Sequence, residues 1–122
     1  MADNDMDVII YKILQYMYEC MKAGVSPRLE DINYDSPMLR IPRQYWIQIL
    51  QEMQASGFVN GFIFIEHKQN ILMHMNDTAR ITLIGQQYLR DNSHMKKARD
   101  FLGESFQSVL SATVQAIMAS TF

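Results

Sequence analysis

The chain has 122 residues, 48% of them hydrophobic and 20% charged, with a net charge of −2 and one cysteine, Cys20. This is one domain's length and a globular composition, which excludes a disordered or fibrous chain, while a single thiol excludes an internal disulfide. No run of eighteen apolar residues exists and Asp3, Asp5 and Asp7 carry the wrong charge for a signal peptide, so a cytoplasmic protein without a membrane span is expected; the basic surplus usual in a dedicated nucleic-acid binder is missing.

Asn4 or Asp5 can cap a first helix, and Asp5 and Asp7 suit the positive end of its dipole. Met6, Ile9, Ile10, Ile13, Leu14, Met17 and Met21 recur at three- and four-residue steps, which predicts one apolar stripe on a helix ending before Gly24. Cys20 lies beside that stripe and reads as a small buried hydrophobe, because no His or basic cluster stands near it in sequence. Ser26-Pro27 opens a short second helix with Leu29 and Ile32 inside. Asn33 to Ile41 is a loop, tied to the core by Met38, Leu39 and Ile41.

The third helix runs from Pro42 to Ser56, with Trp46, Ile49, Leu50 and Met53 inward and Arg43, Gln44, Ile47, Gln48, Gln51 and Gln54 outward; Gly57 ends it. Asn60-Gly61 signals a turn or bulge. Phe62 to Glu66 and Ile71 to Met75 are strands joined by the polar tip His67-Lys68-Gln69-Asn70. A turn centred near Gln69 pairs Ile65 with Met73 and Ile63 with Met75, leaving Phe62, Phe64, Leu72 and His74 on the other face. Both faces are then largely apolar, so something should cover the second. Asn76-Asp77-Thr78 reads as a loop and Arg80-Ile81-Thr82 as a short strand or cap. A helix follows from Leu83 to Asp91, anchored by Leu83, Ile84, Tyr88 and Leu89. Gly85 inside it, at a cost of ~1 kcal/mol relative to Ala, marks a close approach to the hairpin or the first helix.

Asn92 or Ser93 caps a last helix that reaches the C-terminus, where Met95, Ala98, Leu102, Phe106, Val109, Leu110, Thr113, Val114, Ile117 and Met118 keep a helical period. The eighteen positions after Glu104 carry no charge, and Ser, Thr and Gln fill eight of them, too polar to span a bilayer. The order of elements predicts an α+β fold: a winged helix-turn-helix domain over residues 1–92, with an added C-terminal helix over 93–122 for packing or oligomerisation. Leu102, Phe106, Val109, Leu110 and Ile117 are its expected contact residues, against the second hairpin face or a twin in a homodimer. Docking to another protein and lying on a membrane surface are the remaining readings; the second lacks the basic residues and Trp that strengthen such binding.

The phrase Ile81-Thr82-x-x-Gly85-x-x-Tyr88-Leu89, joined to Asn92-Ser93-x-Met95-Lys96-Lys97, resembles the YjcQ-like family of small winged-helix proteins from Gram-positive bacteria and their phages. The resemblance covers the first helix to about Leu102. It implies a winged helix with a C-terminal helix, and leaves the biochemical role open. The loop from Asn33 to Ile41 is longer than the tight turn of a helix-turn-helix unit, and the last helix is long and uncharged.

Among chemistry-bearing residues, Arg43, Gln44, Gln48 and Gln51 on the third helix could read bases, Arg pairing with guanine and Gln with adenine. Arg40 adds a nearby cation, and Lys68 with Asn70 could be a wing tip on the backbone or minor groove. Only Arg40, Arg43 and Lys68 stand there to neutralise phosphates, against Glu52 and Glu66, for a salt slope of roughly −3. The bland alternative is a solvated glutamine-rich face. Arg90, Lys96, Lys97 and Arg99 form a second cluster, either an anion or acidic-partner site or a solvated face paired with Asp91 and Asp100. His67, His74 and His94 do not make a metal set, since the strand pairing puts the first two on opposite faces and no further ligands have usable spacing. Without a catalytic order or phosphate loop the chain reads as a non-enzyme lacking a cofactor. The expected role is a DNA-binding accessory or transcriptional regulator that binds double-stranded DNA as a homodimer; the alternative is a protein–protein interaction module that does not touch nucleic acid.

Overall fold

The computed structural model describes residues 1–121. Its elements are α1 (Met6–Ala23), α2 (Leu29–Ile32), α3 (Arg43–Ala55), β1 (Val59–His67), β2 (Asn70–Ile81), α4 (Leu83–Asp91) and α5 (Ser93–Thr121). Three helices, an antiparallel hairpin and two further helices form an α+β arrangement of winged-helix type, with β1 and β2 as the wing.

α1 is the core's axis. Ile9, Ile13, Leu14, Tyr16 and Cys20 on it are all fully buried. The stripe read from sequence is therefore too narrow, because α3, α4, α5 and β2 surround this helix. Two polar groups on α1 anchor the segments that follow. The Tyr16 hydroxyl donates to Asp31 at 2.5 Å and accepts from the Arg28 backbone N–H at 2.9 Å. Lys12 Nζ donates to the Met38 carbonyl at 2.9 Å, holding the 33–41 loop, and burial lowers its pKa. Trp46 Nε1 closes the set by donating to the Ile32 carbonyl at 2.9 Å. Because Arg28 is extended to meet Tyr16, α2 begins at Leu29 instead of Pro27.

The hairpin departs from the expected register. His67 pairs with Asn70, Ile65 with Leu72, Ile63 with His74 and Phe62 with Met75. The turn is centred between Lys68 and Gln69, with Lys68 at φ 57, and a one-residue shift in pairing flips a whole strand's faces. Phe62, Phe64, Ile71, Met73 and Met75 thus share the inner face, while Ile63, Ile65, Leu72 and both His67 and His74 share the outer one. The two histidines are on one face, not opposite faces. β2 also runs unbroken through Asn76, Asp77 and Thr78, because a bulge at Gly61 lets the longer strand bend back to pair Ile81 with Val59.

α4 is fastened by its first turn. The Thr82 hydroxyl accepts from Gly85 N–H at 2.9 Å and donates to the Gly57 carbonyl. A Cβ at Gly85 would lie 2.1 Å from the Phe58 carbonyl oxygen, so backbone meets backbone there, as the mid-helix glycine suggested. One turn on, Tyr88 stacks on Phe58 with ring centroids 4.2 Å apart. Leu83 and Ile84, expected as anchors, are 68% and 55% exposed. The inward face is set by Gly85 and Tyr88, and those two residues point away from it.

Asn92 Oδ1 caps α5, accepting from the His94 and Met95 backbone N–H groups at 2.9 and 3.3 Å. The helix is not continuous: Gly103 at φ 68 and ψ −162 divides it into arms 93–102 and 104–121. An L side chain disfavours that φ, and the break lets the second arm turn along α1. Phe106, Leu110, Val114 and Ile117 are buried from the second arm, as Met95 and Ala98 are from the first. Phe106 meets the Tyr11 ring at 6.0 Å, and Gln107 donates to the Tyr11 hydroxyl at 2.9 Å.

Candidate functional site

α3 and the wing tip enclose an open cleft of about 330 Å³. One helix turn separates Gln44, Gln48 and Gln51, so their amides project from the same side of α3. Gln69 and Asn70 face them from the tip, and Ile47 and Ile71 complete the lining. Five of the seven residues read from sequence as DNA-contacting, Arg43, Gln44, Gln48, Gln51 and Asn70, meet here. Arg40 and Lys68 are exposed but do not line the cleft.

Among the described residues Arg43 is the one charged residue lining the cleft, and it is already engaged. Its Nη1 donates to Asn70 Oδ1 at 3.1 Å and its Nη2 to the Ile71 carbonyl at 2.6 Å. The guanidinium thus bridges the first turn of α3 to the tip of β2. At the other end of α3, the Gln54 side chain donates to the Phe62 carbonyl at 2.7 Å and accepts from its N–H at 2.9 Å. Gln54 therefore belongs to the wing's attachment and not to the solvated face. Ile47, also placed outward by its spacing, is 4% exposed because the folded-back wing covers it. The outward glutamines were legible from spacing; Gln69 and the isoleucines were missed because only the register brings them to α3.

The last helix does not cover the second hairpin face. It packs on α1 and α4, and Ile63, Ile65 and Leu72 on the outer wing are 43%, 54% and 47% exposed. Of the residues assigned to oligomerisation, Phe106, Leu110 and Ile117 are buried within this chain and Leu102 is half-buried. Val109 alone among them is exposed, at 54%. The periodicity that suggested a partner is satisfied by α1.

Arg90, Lys96 and Arg99 line a smaller cleft of about 220 Å³ among α1, α4 and α5; Lys97 is exposed and outside it. Arg90 pairs with Asp91 at 3.2 Å and Arg99 with Asp100 at 3.6 Å. His94 Nδ1 lies 3.4 Å from Asp7. Among the described residues no group of three or more His, Cys, Asp or Glu could hold a metal ion, and no helix is long and apolar enough to cross a membrane. Cys20 is fully buried, and burial pushes its thiol up to about 11.

A family model described as YjcQ protein matches residues 11–104. That span runs from α1 through the wing to the residue after the Gly103 break. No curated protein and no solved structure matches the chain. The chain belongs to the YjcQ family.

Proposed function

We propose that this YjcQ-family member is a non-enzymatic DNA-binding accessory or regulatory protein that presents the α3–wing cleft to double-stranded DNA and acts as a homodimer. The observation supporting this is the convergence of Gln44, Gln48 and Gln51 with Gln69 and Asn70 in one open cleft that the terminal helix leaves uncovered. Amide side chains can donate and accept together, as the adenine edge in the major groove requires. Arg40 and Lys68 flank the cleft as free-standing cations for phosphates, and the Arg43 clamp fixes the wing relative to the helix. With so few cations, binding is weak and its salt slope is shallow beside that of a protein making many phosphate contacts. The exposed Ile63, Ile65 and Leu72 are the apolar surface a dimer would use, and they face away from the cleft. The test is fluorescence anisotropy of a labelled random duplex at low salt. Saturable binding that weakens in Gln48→Ala and Gln51→Ala supports this reading, and absence of binding removes it.

The same outer wing favours a second reading. Three large apolar side chains on the exposed face of the hairpin, with the central arginine engaged inside the chain, suit a protein-interaction module that uses the winged helix without nucleic acid. Absence of duplex binding at low salt, together with an interaction with a different protein that Ile65→Glu abolishes, would favour this reading over the first.

A further inference from the structure

The cleft among α1, α4 and α5 is on other elements than the α3–wing face, and neither DNA reading nor wing packing uses it. Each helix contributes one stripe. Tyr11, Gln15 and Tyr18 recur at four- and three-residue steps on α1, Gln86 and Arg90 are one turn apart on α4, and Lys96 and Arg99 one turn apart on α5. Among the described residues, three cations line this volume and no carboxylate does.

The neighbouring acids lie outside it. Asp100 and Glu104 line the adjoining groove, where Arg99 is the one cation among the described residues. Glu19 accepts from Gln15 at 2.9 Å and pairs with Lys22 at 3.4 Å. Asp91 and Asp100 hold the Nε atoms of Arg90 and Arg99 through exposed pairs between sequence neighbours, and such pairs are weak. An oxyanion with several acceptors can take the remaining guanidinium N–H groups. Lys96 stands in the first turn of α5, where the helix dipole disfavours a cation, and a bound anion would relieve that.

We infer that this cleft binds a compact phosphate monoester. A phosphate monoester carries about −1.5 to −2 at neutral pH and has three acceptor oxygens, so it can engage all three cations at once, which a single carboxylate cannot. The volume of about 220 Å³ is below the roughly 300–1,000 Å³ of sites for drug-sized ligands, so the ligand is phosphate with a small organic body. The Tyr11 and Tyr18 rings and the Gln15 and Gln86 amides would receive that body.

The experiment is a backbone-amide NMR titration of the full chain at constant ionic strength, with inorganic phosphate, glycerol phosphate and acetate as probes. Saturable shifts at Gln86, Arg90, Lys96 and Arg99 with both phosphates are expected, with acetate at least about tenfold weaker. Arg90→Gln with Arg99→Gln should weaken phosphate at least about tenfold. Lys97→Gln, which removes a charge beside the cleft but not in it, should leave affinity unchanged. A thermal melt checks that each variant is folded, and the probe selectivity of the unaltered chain stands without them. The inference is overturned by absence of saturable shifts, by equal binding of acetate and phosphate, or by Lys97→Gln weakening phosphate as much as the Arg90→Gln, Arg99→Gln double variant. Binding to vesicles containing phosphatidic acid without response to soluble phosphates would also overturn it, by making a lipid surface the source of the anion.

Discussion

The Arg43 guanidinium holds Asn70 across 27 residues of sequence, from the first turn of α3 to the wing tip, at 3.1 Å. With the 2.6 Å bond to the Ile71 carbonyl, it makes the cleft's shape depend on one side chain. Charge-assisted hydrogen bonds contribute about 1.5–3 kcal/mol when well shielded, and this one is half-open to solvent. Arg43→Ala should therefore cost about 1–2 kcal/mol and speed hydrogen exchange in the wing tip, read by denaturation and mass spectrometry. Lys68→Ala, at the exposed tip, should change stability by less than about 0.5 kcal/mol.

The family-like phrase from Thr82 to Tyr88 is a fastening of α4 to the end of α3. Thr82 bonds Gly57 and Gly85, Gly85 abuts the Phe58 carbonyl, and Tyr88 stacks on Phe58. Gly85→Ala puts a methyl 2.1 Å from a backbone oxygen that cannot move alone. Overpacking of that kind costs about 1–3 kcal/mol or more, and the upper end is expected in thermal or chemical unfolding. Thr82→Val, which loses the cap, should cost about 1–2 kcal/mol.

Burial within α1 should silence the lone thiol. The Cys20 thiol is pushed up to about 11 from 9.0, mainly by desolvation. At pH 8 the thiolate fraction falls about 100-fold, so alkylation of the native chain should be slower than that of the denatured chain by at least that factor. Folding favours the protonated form here. Its contribution to stability is present below pH 9 and is lost as pH rises through about 11.

The second arm of α5 is part of the core. Leu110 is 1% exposed, and Leu110→Ala should cost about 2–5 kcal/mol by urea unfolding, without changing the oligomeric state. Truncation after Leu102 removes Phe106, Leu110, Val114 and Ile117 from α1 and should give an aggregating or unfolded chain. Val109→Glu, on the open side, should be tolerated within about 0.5 kcal/mol.

What the sequence made legible follows from which signals are local. The α3 stripe, a cap at Asn92 or Ser93, a strand or cap over Arg80-Ile81-Thr82, and the tight spot at Gly85 all depend on neighbours within one or two turns; the structure places the caps at Asn92 and Thr82 and keeps Arg80 and Ile81 in β2. The errors arose where distant elements decide. The register turned on one residue at Lys68, and Ile47 and Gln54 were drawn inward by a wing whose path periodicity does not reveal. The stripe on α5 announced a buried face but not whose face it meets; the Gly103 break turns it onto α1. The glutamines of the cleft were visible one by one, and their meeting with Gln69 and Asn70 was not.

The salt dependence of binding to a random duplex is the decisive measurement for the α3–wing cleft. Affinity should be measurable below about 100 mM salt and fall on a log–log slope of roughly −2 to −3 per subunit, the lower figure counting Arg40 and Lys68 and the upper one adding Arg43. Arg43→Ala combined with Lys68→Ala should abolish it. No binding at the lowest salt, or binding that the double variant leaves unchanged, would contradict the α3–wing cleft as a DNA-reading face.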